Sequence, residues 1–429
     1  MAMPQGAATP TTAFQHQSPP SSEDARRNSD RFDSEAVGWD RPDDLEDPMN
    51  WPTSRKAVNI GLMSLLTIIS PLGSSMFAPG VAQLMAEFNS TSKLFATFVI
   101  SIYILGYAFG PLLWAPLSEI YGRVYMYHIG NSVFVILCIG AALSKSLATL
   151  LTLRLFMGIF GSAPTTVGVG SIMDTVTLEW RGRILALWAM GPLLGPCIGP
   201  IIGGHITEGP GWRWVYWFLA ILGGVLGICG MVLMRETYAP AILERKARRL
   251  RKAANNLSLR NSLGTRDRHR VKLAMIRPFK LLFTVPLVAV VSLYVSVAYG
   301  TLNLLIATFS FVYAERYHFN EGTVGLSFLP LGIGMIFGVG AYGYLSDLLV
   351  RKAKERQGSD GPYQPEVKVS PWVTVPVGVA LPGGLLMYGW TIQYGVHWIV
   401  PMISVAIFSF SLMGATVCSM LFSPSSETC

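Results

Sequence analysis

Charge is what this chain has least of. Only 14% of its 429 residues are Asp, Glu, Lys or Arg, where a soluble globular chain carries about a quarter. The shortage deepens once two polar segments are set aside. Residues 1–56 hold 6 basic and 10 acidic side chains, residues 235–280 hold 14 and 3, and the other 327 positions hold 13 and 12. No water-soluble fold of that size covers its surface so sparsely. Soluble enzymes, secreted domains and nucleic-acid binders are therefore excluded, and the chain reads as a polytopic membrane protein.

Other absences narrow the chemistry. The five cysteines (138, 197, 229, 418 and 429) contain no CxxC spacing, so neither a disulfide framework nor a zinc site is supported. The six histidines (16, 128, 205, 269, 318 and 397) are scattered without metal-ligand spacing. No catalytic constellation appears, so no metal, cofactor or enzymatic activity is expected. A GxxxxGK[ST] loop is missing, which removes ATP as the energy source. The N-terminus is polar, acidic and rich in Pro and Ser, unlike a cleavable signal peptide, so the first span would act as the targeting signal. The net charge of +8 arises in segment 235–280, and basic charge gathered in one loop of a membrane protein is a topology signal.

What is present is long apolar runs. A bilayer core of roughly 30 Å needs about 20 apolar residues per helix. Uncharged runs at 57–86, 94–118, 124–144, 184–207, 214–234, 281–314 and 322–346 meet that length. Residues 146–173 form another, interrupted by Arg154, and 369–427 divides at Trp390–His397 into two. The expected fold is all-α, a transmembrane helical bundle of ten spans. With the N-terminus cytoplasmic, 28 Lys/Arg fall on the cytoplasmic side and four outside (Lys93, Lys145, Arg213 and Arg316), which sets the orientation. The domain reading is a disordered tail (1–56, with 1–46 the part lacking a fold), a six-helix bundle (57–234), a basic cytoplasmic loop (235–280), a four-helix bundle (281–422) and a short tail (423–429). The basic stretch 241–272 opens with helix-forming residues; a solvated linker and a helix lying on anionic lipid are both open readings.

Several residues stand out against this apolar background. Arg154 lies inside a span, where an arginine costs a few kcal/mol on insertion scales and must find acceptors in the bundle interior. It is either a substrate or proton-coupling residue or a structural donor to neighbouring carbonyls. Span five carries Gly191-Pro192, Gly195-Pro196 and Gly199-Pro200, then Gly203. Spacing of four sets the glycines near one helix face, open to close helix approach, while the prolines remove backbone donors. This pattern predicts a helix that bends at a moving interface. Tyr294 and Tyr299 in span seven are candidate cavity aromatics. Asn89-Ser90-Thr91 is a glycosylation sequon in the first outside loop, whereas Asn256-Leu257-Ser258 falls in the cytoplasmic one. A faint internal repeat links APLSEIYGR (115–123) and GYLSDLLVRK (343–352). Glu119, Arg123, Asp174, Glu179, Arg181, Arg183 and Asp347 gather at cytoplasmic span ends as potential partners.

Five segments, in order, resemble the major facilitator superfamily, and within it fungal drug:proton antiporters of the twelve-helix type: DPMNWPTSRK (47–56), LGYAFGPLLWAPLSEIYGR (105–123), LTLRLFMGIFGSAP (151–164), the span-five series, and GWRWVYWFLAI (211–221). The resemblance covers about 47–422. It implies two six-helix halves rocking about a central site, Arg154 in proton coupling, and span five as the antiporter helix. It also implies a cytoplasmic gate of Glu119, Arg123, Asp174, Arg181, Arg183 and Asp347. The pattern departs at three points: ten spans stand where twelve are expected, Val124 replaces a common second basic residue, and no span contains an acidic residue. The leading expectation is a monomeric, multi-pass plasma-membrane protein with a cytoplasmic N-terminus. It would export drugs, polyamines or a fungal secondary metabolite in exchange for protons. The competing expectation, resting on the missing helices, is a truncated, non-transporting membrane protein or a sensor.

Overall fold

A computed structural model describes residues 36–89, 92–255, 259–261, 275–276, 279–357 and 371–421. Ten helical spans match the ten apolar runs one for one. They are Thr53–Glu87, Leu94–Tyr121, Arg123–Ala142, Leu147–Thr175, Leu178–Glu208, Arg213–Leu233, Pro286–Tyr317, Glu321–Leu345, Val375–Gln393 and Ile399–Thr416, called spans one to ten below. The helix ends differ from the apolar limits for a physical reason. Span five starts at Leu178, not 184, because Glu179, Arg181 and Arg183 join its first turns, where an acid suits the positive end of the helix dipole. The span-eight helix runs on to Gln357 past the bilayer-length stretch. Span seven begins at Pro286, a residue whose missing N–H costs nothing in a first turn.

Three spans are discontinuous. Span one is helical over Thr53–Ser75, tightens to a 3-10 turn over Ala78–Gly80 and resumes at Val81. Pro79 brings no N–H to this turn, so carbonyls at the end of the first segment are left for other donors. Span four breaks at Ser162, between Gly161 and Ala163. Span eight opens with the short helix Glu321–Leu326, capped by Asn320, whose side chain accepts from the Thr323 amide; its long helix starts at Leu329.

Packing follows small residues. A methyl group at Gly106 of span two would collide with the Leu155 carbonyl of span four, and one at Gly158 with the Tyr103 carbonyl, so these helices touch backbone to backbone. The second half repeats the arrangement. Gly334 and Gly338 of span eight face the Ala406 and Phe410 carbonyls of span ten, as Gly106 and Gly110 face those of Leu155 and Ile159. Each half has its own core, around Leu66, Phe77, Tyr103, Phe134 and Tyr216 in the first and around Phe309, Tyr313, Phe328 and Phe408 in the second.

The chain divides into two compact units, one of residues 1–40 with Leu243–Thr265 and the other of the remaining residues. The smaller unit holds a two-residue parallel pair, Ala36–Val37 with Arg260–Asn261. Lys246 Nζ lies 2.7 Å from Asp40 Oδ1 and donates to the Gly38 carbonyl. Within the 1–46 stretch expected to lack a fold, the described residues carry that parallel pair and a turn in which the Asp44 amide donates to the Arg41 carbonyl. The start of the basic segment is a helix, Ala239–Ala254. In it Glu244 bonds Arg248 at 3.2 Å and Arg251 at 3.4 Å.

Candidate functional site

Arg154 is fully buried, at 0% exposure. Its Nη1 donates to the Tyr216 hydroxyl at 2.8 Å, and Nη2 reaches the Ser74 carbonyl at 3.4 Å, near the break in span one. The faces of Phe77, Tyr103 and Tyr216 lie 5.0, 5.8 and 6.0 Å from the guanidinium carbon. The cation is thus held by π faces and by a carbonyl at the negative end of a helix segment. Tyr103 is fixed in turn by donating to the Ser70 carbonyl. The guanidinium Nε has no partner among the described residues, so the cage does not use the full donor capacity of the group. The three aromatic residues were not singled out from the sequence, although Tyr216 lies in the GWRWVYWFLAI segment.

Span five runs as one helix through its three internal prolines. Its glycines form one face against span one. Gly191 meets Ile68, Gly195 meets Pro71, Gly199 meets Ser75, and Gly203 meets the Met76 carbonyl. Ser75 Oγ donates to the Gly195 carbonyl at 3.2 Å. The contacts with the second half lie elsewhere on the same helix. Gly204 packs on the Glu321 carbonyl, Pro200 presents its carbonyl to Gly325, and Cys197 abuts Gly332. Pro192 and Pro196 are half-buried, and Pro200 is buried. The glycine stripe therefore serves contact within one half, and the face carrying Cys197, Pro200 and Gly204 meets the other half.

At the connector end, spans two and three are joined by the single residue Gly122, whose φ of +99° suits glycine. Arg123 follows. Its Nε donates to Asp174 Oδ2 at 3.1 Å, its Nη1 to Ser118 Oγ at 2.6 Å, and its guanidinium lies 4.9 Å from the Tyr238 ring. Glu236, at the head of the connector, was missed by sequence reasoning. One of its oxygens, Oε1, accepts from the backbone amides of Arg123, Thr237 and Tyr238 at 2.8, 3.1 and 3.1 Å. Its signal was available: an acid placed directly after a span, at the edge of a basic segment.

The charges expected together at this end find different partners. Asp174 pairs with Arg123, but Arg181 turns back to the Met173 and Val176 carbonyls that close span four. Arg183 stacks on Trp180 at 5.2 Å, and Glu119 and Glu179 are exposed. Four-residue periodicity along a helix start cannot say which charge reaches a neighbouring span. Asp347 lies in the span-eight helix, with its side chain outside the described residues.

The opposite end carries a second polar set that sequence reasoning also missed. Gln83 Nε2 donates to Glu321 Oε2 at 2.7 Å and to the Thr207 carbonyl at 3.0 Å. Gln83 Oε1 accepts from the Trp212 amide at 3.2 Å. Asn320 Nδ2 donates to Glu208 Oε1 at 2.7 Å. Glu87 accepts from Trp212 Nε1 at 2.8 Å and pairs with Arg213 at 2.6 Å. Tyr299 is half-buried against the second core, whereas Tyr294 is 42% exposed. Asn89 is exposed with φ +49°; Ser90 and Thr91 lie outside the described residues. No cluster of metal-ligating side chains occurs among the described residues.

The profile of the Major Facilitator Superfamily matches residues 63–428. The MFS-type transporter penM of Penicillium rubens is 43% identical over 388 residues, covering 90% of this chain and 75% of its own length. The efflux pump radE of Floropilus chiversii is 40% identical over 377 residues, covering 87% of this chain and 70% of its own. Among solved structures, a bacterial homolog of the human lysosomal transporter Spinster aligns with TM-score 0.63 at 14% identity, over 86% of this chain and 74% of that one. The xylose transporter XylE of E. coli aligns with TM-score 0.60 at 15% identity, over 86% and 85%. These two likenesses establish the fold.

Proposed function

Because this chain belongs to the Major Facilitator Superfamily, whose matched relatives are membrane transporters and efflux pumps, we propose that it exports small amphipathic compounds in exchange for protons. Drugs, polyamines and fungal secondary metabolites are the classes in view. The observation that carries the reading is the aromatic cage of Arg154 at the broken part of span one. A buried cation bonded to a phenol and one carbonyl, with its Nε unpartnered among the described residues, is poorly satisfied, and intramembrane charges mark substrate or proton paths. Broken helices at mid-membrane are where transporters of this general design build their sites.

On this reading spans one to six and seven to ten act as two moving bodies, residues 57–234 and 281–422, joined by the basic connector 235–280. Arg154 couples proton and substrate movement. Span five, with its Gly191, Gly195, Gly199 and Gly203 face on span one, is the antiporter helix. The gate at the connector end comprises Arg123, Asp174 and Glu236, with Glu119, Arg181, Arg183 and Asp347 around it. Tyr299, with Tyr294 five residues before it, borders the path. The excess of basic residues in the connector supports a cytoplasmic N-terminus. The protein works as a monomer in the plasma membrane, with Asn89 glycosylated on the outer face.

The test uses inside-out membrane vesicles containing the full chain. An acid-lumen gradient is imposed and uptake of ethidium, spermidine and a fluorescent azole is followed. Uptake of at least one probe that collapses with the gradient is expected. Arg154→Ala should abolish it at unchanged protein abundance. Uptake indifferent to the gradient overturns proton exchange, and an Arg154→Ala chain with full uptake removes this residue from the mechanism.

A further inference from the structure

The connector helix Ala239–Ala254 carries six basic side chains and one acid, Glu244. The structure sorts the basic ones into two sets. Lys246 and Arg251 turn inward, with side chains 16% and 26% exposed. Lys246 pairs with Asp40 and donates to the Gly38 carbonyl, and Arg251 donates to the Leu259 carbonyl at 2.6 Å and to Glu244. Leu243 and Ala247 lie on the same side of the helix and are buried. Arg245, Arg248, Arg249 and Lys252 make up the second set, and all four are exposed. Counted from Arg245 they stand three, four and seven residues on, which is one helix face. Arg248 bonds Glu244 and still leaves 62% of its side chain exposed.

We propose that this face docks on the anionic phospholipid headgroups of the leaflet beside the connector. Chain length brings the two together. Span six ends at Leu233 and the helix starts at Ala239. The five residues between them reach at most about 18 Å when extended, which keeps the first helical turn close to the headgroups. The head of that linker is also pinned, because Glu236 accepts from the Arg123, Thr237 and Tyr238 amides. Charge complementarity then names the partner. Four cations strung along about 10 Å of helix match a surface tiled with anions better than they match one small anion.

The buried side of the helix decides the mode of contact. An amphipathic helix that sinks into a bilayer needs its apolar face free, and here Leu243 and Ala247 are already buried. Contact is therefore made at headgroup level, through charge, as juxtamembrane basic clusters meet acidic lipid. The inward set gives the face its shape beforehand. With Lys246 held by Asp40 and Arg251 by the Leu259 carbonyl, little backbone order remains to be gained on contact. The dock asks nothing of transport and stands apart from that reading.

The test uses the full chain with its own cysteines replaced and a fluorophore at Ala253→Cys, an exposed position one turn beyond Arg249. The protein is held in lipid nanodiscs that carry a quencher on the headgroups. With phosphatidylserine mixed into phosphatidylcholine, the ratio of quenched to unquenched fluorophore should be at least about tenfold that in phosphatidylcholine alone. High salt should erase the difference. Replacing Arg245, Arg248, Arg249 and Lys252 together by Gln, which keeps helix propensity, should give one low ratio in both lipids. Arg245→Lys, Arg248→Lys and Arg249→Lys combined should keep the response, and Lys145→Gln at the other end of the bundle should leave it intact. Equal ratios in the two lipids for the otherwise unchanged chain overturn the dock, as does a full response in the glutamine variant. A response that survives high salt, or that the lysine variant loses, overturns it too, because the contact would then not rest on charge.

Discussion

The two halves share a helix-pair register and differ in what they place inside it. Gly106 and Gly110 set span two against the Leu155 and Ile159 carbonyls; Gly334 and Gly338 set span eight against those of Ala406 and Phe410. The position before Leu155 is Arg154, and the position before Ala406 is Val405; both are buried, at 0% and 2% exposure. Around Arg154 the first half supplies a broken span one and three ring faces. In the second half, span seven is one unbroken helix of 32 residues. Phe309 there packs on Tyr313 at 4.6 Å, Phe328 at 4.8 Å and Tyr388 at 5.9 Å, an apolar cluster in the place of a caged cation. One packing scheme is thus used twice, and among the described residues the buried charge belongs to the first half.

The sharpest way to break that comparison is to move the charge. A chain carrying Arg154→Val and Val405→Arg should show no vesicle uptake of any probe that the unchanged chain accumulates. Span seven offers no opened helix turn to a guanidinium at position 405, so the cation there would lack a carbonyl like the one Ser74 gives Arg154. Transport by the swapped chain would show the halves to be interchangeable. A smaller effect tests what they have in common. Gly106→Leu and Gly334→Leu should each lower the thermal stability of the detergent-solubilised protein to a similar degree, by about 3 kcal/mol, the upper range for forced overpacking. A loss in one half alone would end the equivalence of the two registers.

Much of this was legible in the sequence, for reasons that particular residues make plain. Bilayer thickness sets helix length, so ten apolar runs became ten spans, and Arg154 stood out because charge is costly there. The spacing of the span-five glycines correctly implied one face, but not that the face meets span one. Which neighbour a stripe touches depends on helix rotation, which periodicity leaves open. The repeated motifs around Ser118 and Ser346 hinted at two halves, but the repeat itself rests on Gly106, Gly110, Gly334 and Gly338, whose role shows only once the opposing carbonyls are placed. Glu236, Gln83 and Glu321 were invisible for a related reason: their partners lie 113, 124 and 238 residues distant in the chain. The pairing of Ala36–Val37 was hidden because its partner, Arg260–Asn261, has no strand-like pattern.

The connector-end cluster belongs to the first half, and Glu236 makes it more than a surface ion pair. One carboxylate oxygen gathers three amides there, and charge-assisted bonds of this kind are the stronger class. Glu236→Ala should therefore cost about 1–2 kcal/mol, seen as a lower melting temperature and faster tryptic cleavage after Arg123. Glu236→Gln keeps an acceptor and should recover about half of the loss. Equal losses for the two variants would mean that the acid acts through its charge on Arg123, not by ordering the turn.

Arg183 sets the lower limit of the scale. It lies in the same charged helix start as Arg181, and the two are indistinguishable by spacing alone. Arg181 closes span four by donating to the Met173 and Val176 carbonyls at 3.0 and 3.3 Å. Arg183 rests on a Trp180 ring that is itself 55% exposed. Cation–π contacts at such exposed sites contribute about 0.5 kcal/mol, so Arg183→Ala should shift the melting temperature by no more than about a degree or two. Arg181→Ala should shift it further, because the carbonyls at the span-four end would lose their donor. If the two substitutions weigh the same, the difference between a capping arginine and a surface one is absent here, and the charges at this end act as a diffuse positive field with no specific bonds.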